Sequence, residues 1–123
     1  VRLNESTLEA TLGTALLCPR VRLASGFLSR LRGLLFTSVL PAGSGLLLRP
    51  CASVHSFGMR YAIDVLYLDA RGRVLASQTL PPWRAGAYVR GCAQVLELPQ
   101  GAAKKAGVRA GDTVRFGAEP VRK

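Results

Sequence analysis

Long apolar runs, paired cysteines, acidic side chains and histidines are all scarce in this 123-residue chain. No stretch of eighteen uninterrupted apolar residues occurs, so no transmembrane helix is expected. The apolar segment Leu12–Cys18 is too short to span a bilayer and has no basic leader before it. Cys18, Cys51 and Cys92 are odd in number and form no CxxC pair, which argues against a disulfide scaffold and against a structural zinc site with closely spaced ligands. Reduced thiols, and with them a cytoplasmic location, are the expectation, or an exported chain if a leader upstream of Val1 has been removed. Gly43-Ser44-Gly45 precedes a strand rather than a helix, so it does not read as a phosphate cradle. No cofactor and no metal is implied.

Acid–base chemistry has little material, with one His and seven Asp plus Glu. Cations are abundant: 17 Lys plus Arg leave a formal charge of +10. Such a surplus attracts nucleic acid or anionic surfaces. Here, however, the basic residues are scattered singly, and only Lys104-Lys105 and Arg122-Lys123 are adjacent. A nucleic-acid binder is expected to show a basic stripe with stacking aromatics, and neither is evident.

With 49% apolar residues and 20% charged, the chain has enough material for one core. Residues 1–15 read as a flexible N-terminal segment, 16–117 as a single domain and 118–123 as a tail. Ser6-x-x-Glu9 matches a capping box, but in a short terminal segment. Residues 16–23 read as extended. Ser25 followed by Phe27, Leu28, Leu31, Leu34 and Leu35 predicts a helix over about 25–36, the main helix of the chain. From Leu46 the period changes to two, predicting strands over 46–49, 52–57, 63–68, 74–79, 87–90, 93–98 and 113–116. Asp69-Ala70-Arg71-Gly72 reads as a hairpin loop with Gly72 in a left-handed position. Ala102–Ala106 predicts one helical turn, stopped by Gly107. The fold class is α+β: a compact, mostly antiparallel, barrel-like sheet with one main helix packed on it.

Several pieces, in order, resemble a known family. They are Arg30-Leu31-Arg32-Gly33-Leu34-Leu35, Leu40-Pro41-x-Gly43-x-Gly45-Leu46, the stretch from Cys51 to Arg60, and Ile63-Asp64-Val65-Leu66-Tyr67-Leu68-Asp69. Gly72-Arg73-Val74, Val95-Leu96-Glu97-Leu98-Pro99-Gln100-Gly101 and Gly111-Asp112 complete the series. Together they resemble a bacterial domain family of unknown function, number 192. The resemblance implies a compact barrel-like β domain with a helix packed on it. It implies no activity, cofactor or partner.

The polar cluster between Cys51 and Asp64 is the candidate site. A hairpin looping at Gly58–Tyr61 sets His55 opposite Asp64, within reach of an imidazole–carboxylate hydrogen bond. A slip of one residue puts them on opposite faces. Met59 and Arg60 at the tip add an apolar and a cationic contact. Trp83 and Arg84, after two prolines, read either as a lid on the core or as one wall of a groove. Glu97 lies in an apolar strand and is expected to be paired, with Arg30 as a candidate partner. A monomeric, non-enzymatic binding module for a small polar ligand or protein partner is the leading expectation, using His55, Met59, Arg60, Asp64, Trp83 and Arg84. One alternative is a small hydrolase-like enzyme with His55 and Asp64 as its catalytic pair. The other is an electrostatic binder of nucleic acid or anionic surfaces.

Overall fold

The structure, a computed structural model, describes residues 2–25, 40–56 and 59–118. Seven strands form one sheet: β1 (Arg2–Leu12), β2 (Ala15–Ser25), β3 (Ser44–Leu48), β4 (Ile63–Leu68), β5 (Val74–Leu80), β6 (Gln94–Pro99) and β7 (Val114–Ala118). Their order is β5-β4-β6-β3-β2-β1-β7. Every pairing is antiparallel except β2 with β3. A parallel pair needs a crossover connection, and most of that connection, residues 26–39, lies outside the described residues, together with nearly all of the expected 25–36 helix. Among the described residues the helix is α1 (Ala102–Ala106), closed by Gly107 in the left-handed region.

The edges explain the curl. At one end β5 and β7, at opposite ends of the strand order, come together. Val74 N–H donates to the Asp112 carbonyl (2.7 Å) and Val114 N–H to the Gly72 carbonyl (2.8 Å). The sheet is thus a half-barrel pinned at a seam, which shields two otherwise open edges. Gly72 has φ +90, and a Cβ there would lie 2.3 Å from the Val114 carbonyl oxygen. The left-handed position expected of it is therefore also a point of backbone contact.

Strand alternation divides the core in two. Ala10, Cys18, Val21, Leu47, Leu66, Leu68, Val74, Leu96, Leu98 and Val114 come from all seven strands and fill the inside of the curl, with Ala103 of α1 against them. Leu46, Leu48, Ile63, Val65, Tyr67, Leu80 and Val95 point outward and are covered by Leu40, Val54 and Met59 from the connections. Burial on both faces is why β4 and β6 read as near-continuous apolar runs.

Three expectations are corrected. Of the strands expected over 52–57 and 87–90, residues 52–56 and 87–90 form none. The chain from 51 to 56 runs as a loop with one isolated antiparallel bridge, His55 to Ala85, and 87–90 is irregular. Prolines at 50, 81 and 82 bracket these segments, and proline cannot donate to a ladder. The Ser6-x-x-Glu9 box caps no helix, because those residues lie in β1, where pairing with β2 and β7 overrides a local signal.

Candidate functional site

Two loops, 51–56 and 81–88, are laced together over the outward face of the sheet. Ser56 is fully buried and is the knot. Its N–H donates to the Arg84 carbonyl (2.8 Å), and its carbonyl accepts from Trp83 N–H (3.0 Å) and Met59 N–H (3.0 Å). Its hydroxyl donates to the Pro81 carbonyl and accepts from Arg84 N–H (2.9 Å). A second tie lies one turn further along. Tyr67 O–H donates to Gln78 Oε1, which also accepts from Ala87 N–H (2.9 Å), while Gly86 N–H donates to the Val54 carbonyl (2.8 Å).

Gly86 has no room for a side chain. A Cβ would stand 2.5 Å from the Tyr67 hydroxyl and 2.9 Å from the Val54 carbonyl oxygen. Gly86→Ala is expected to cost about 1–3 kcal/mol, the usual penalty of forced overpacking. Thermal unfolding measures the loss. Accelerated exchange of the Ala87 amide would locate it at this tie, and an unchanged amide would show that the loop is not held there.

On this brace Trp83 sits with φ 60 and remains 61% exposed. It is therefore not a lid over the core. Arg84 beside it is exposed, and Tyr88 is 83% exposed. The His55–Ala85 bridge brings the half-buried His55 backbone alongside the same loop. Arg60 is exposed as well, but Met59 is only 6% exposed and belongs to the outward core, so it is not available as a ligand contact.

Asp64 lies elsewhere. It is paired with Thr79 of β5 and Leu98 of β6, not with His55. Alternation places it on the Leu66–Leu68 side, inside the curl, whereas the loop carrying His55 covers the outward side. The 51–64 hairpin and its imidazole–carboxylate pair are therefore corrected. Asp64 is 3% exposed, and its oxygens are occupied by neutral donors. Oδ1 accepts from the Thr79 hydroxyl (2.8 Å), and Oδ2 accepts from Gly101 N–H and Ala103 N–H (3.0 Å each). Gly101, the N-cap of α1, has no side chain to cap it, so a carboxylate from β4 serves instead. A cleft of about 470 Å³ lies beside it, walled by Thr79, Gln100 and Lys104.

The thiols divide between the two sides. Cys18 packs inside the curl, and Cys51 and Cys92 pack against the outward core. Burial pushes the Cys18 and Cys92 thiols up from their ordinary values, which leaves them neutral and poorly nucleophilic. Among the described residues no three His, Cys, Asp or Glu side chains converge as metal ligands. Glu97 is buried on β6, opposite Leu46 and Val65. Its suggested partner Arg30 lies outside the described residues.

The family model described as "Uncharacterized ACR, COG1430", DUF192, matches residues 9–116. The chain belongs to this family. Similar DUF192 relatives include a UPF0127 protein of Thermococcus kodakarensis, 34% identical over 79% of this chain and 64% of that protein. A UPF0127 protein of Pyrococcus furiosus is 35% identical over 78% of this chain and 85% of its own length. This chain thus spans just under two thirds of the first relative. The family reaches beyond the bacterial setting expected from the sequence. Among solved structures, a Novosphingobium aromaticivorans protein of unknown function shares the fold, with TM-score 0.72 and 22% identity over 89% of this chain and 83% of that one. A Sinorhizobium meliloti protein, provisionally described as a transcription regulator, does so with TM-score 0.70 and 21% identity over 94% and 96%. Within the described part of this DUF192 chain, no helix is long and apolar enough to cross a membrane.

Sequence reasoning missed Gly86 and Tyr88. Their signal was present in the two prolines, the glycine and the aromatic of 81–88, but it was divided between a loop and a supposed strand.

Proposed function

We propose that this chain is a non-enzymatic binding module whose recognition surface is the braced 81–88 loop, with Trp83, Arg84 and Tyr88 in front and His55 and Arg60 at its margins. The observation that carries this reading is Trp83, a bulky residue in left-handed backbone and largely exposed. That conformation costs about 1–2 kcal/mol, and an exposed indole forgoes the stabilisation that burial brings. A loop tied down by Ser56, Gln78 and Gly86 sustains both costs, and strain held by its surroundings points to function. Trp, Tyr and Arg are also the side chains that dominate binding energy at interfaces. Their chemistry suits a polar ligand or partner segment that presents an anionic group beside a flat apolar one.

Separation of His55 from Asp64 favours this reading over the hydrolase alternative, because a general acid or base must reach the same reacting atoms as its partner. Amide chemical-shift mapping against a mixed library of small polar ligands and acidic peptides is the test. Shifts gathered at residues 55, 60 and 83–88, lost in Trp83→Ala and Arg84→Ala proteins that remain folded, are the expected result. Shifts that ignore both substitutions overturn the assignment.

A further inference from the structure

Three arginines far apart in sequence line one cleft that shares no lining residue with the Trp83 loop. Arg49 follows β3, Arg71 lies in the β4–β5 turn and Arg115 is in β7, and together with Gln94 and Phe116 they border a space of about 530 Å³. That volume is in the range of small-molecule sites.

The arrangement is partly built in advance. Gln94 is 2% exposed, and its amide donates to the Asp69 carbonyl (2.8 Å) while its Oε1 accepts from Arg49 Nε (2.8 Å). The Arg49 guanidinium is thereby held over the Phe116 ring, 6.0 Å from its centroid, and the bond to Gln94 uses its Nε rather than a terminal nitrogen. The nearby acid is already in use. Asp69 Oδ1 accepts from Arg73 N–H and Arg71 N–H (2.9 Å each), and these bonds, Arg73's foremost, hold its carboxyl below the usual range. It braces the turn that presents Arg71, and its single charge, felt by Arg71 and Arg73, leaves the cleft with a surplus of cations.

We propose that this cleft is an oxyanion site for a small phosphorylated molecule, gripped by Arg49, Arg71 and Arg115. Guanidinium forks match phosphate oxygens in pairs, and a cleft of one sign concentrates the field on its ligand. A polynucleotide fits less well, since a single-strand track needs a continued basic groove with free stacking faces, and here Arg49 already covers Phe116.

The test is calorimetric titration of the full chain with inorganic pyrophosphate at low ionic strength. Saturable one-to-one binding is expected, weakened about tenfold by Arg71→Gln and by Arg115→Gln. Arg90→Gln, which removes the same charge from an exposed position elsewhere, should leave the affinity unchanged. Equal weakening in all three variants, or no saturation, overturns the site. Binding of a single-stranded oligonucleotide that displaces pyrophosphate and occupies a longer footprint would overturn the small-ligand assignment. The Trp83 surface stands or falls separately, because pyrophosphate should move the amides of 71, 94, 115 and 116 rather than those of 83–88.

Discussion

Gly72→Ala is expected to lower stability by about 3–5 kcal/mol, the range reserved for substitutions with a specific steric cause. Two penalties coincide at this position. An alanine at φ +90 is strained, by about 1–2 kcal/mol, and its Cβ would stand 2.3 Å from a carbonyl oxygen of β7. Neither backbone can yield freely, because Gly72 N–H bonds the Asp69 carbonyl (3.1 Å) and the Gly72 carbonyl accepts from Val114 (2.8 Å). Relief would mean parting β5 from β7 and opening the seam. Thermal and urea unfolding measure the loss, expected as a melting temperature lower by roughly 10–20 °C. Gly107→Ala is the control, since Gly107 also has positive φ (+70) but open space around its missing Cβ. It should cost only the backbone term, about 1–2 kcal/mol. If the two substitutions cost the same, the seam is not under the steric constraint described.

Asp64→Ala is the second large effect, on the order of 3–5 kcal/mol. It strands one hydroxyl and two backbone N–H donors in a nearly buried place, and each unsatisfied buried group costs about 1–3 kcal/mol, less than additively when neighbours relax together. The α1 turn should loosen first, seen as faster exchange at Gly101 and Ala103. Asp64→Asn separates charge from hydrogen bonding. Its amide oxygen can accept from the two backbone N–H groups while its NH₂ donates to Thr79, so it should retain most of the stability. A protein in which alanine is tolerated as well as asparagine would show that this carboxylate does not hold α1.

Much of the fold was legible locally. Ile63–Leu68 and Ala102–Ala106 are read from the sequence with their observed limits, and Gly72 in its left-handed position follows from the loop it closes. The candidate site was legible only in part. Trp83 and Arg84 lie on one exposed loop, the His55 backbone is bridged to it, and Arg60 is exposed. Met59 is lost to the core, and Asp64 belongs to the other side of the sheet. The error arose from taking 52–57 as the partner strand of β4. The actual partners are β5 and β6, one next in sequence and the other some thirty residues away.

What the sequence by itself determined, then, is the alternation of apolar residues along each strand, the turns set by proline and glycine, the surplus of arginine and membership of the family. Those are properties of neighbours along the chain. Tertiary structure alone decided which way each alternation faces, since register is a long-range choice and a one-residue slip inverts every side chain. The same closure separated His55 from Asp64 and drew Arg49, Arg71 and Arg115 around one cleft. No local pattern encodes such a gathering, because it exists only once β5 and β7 have met.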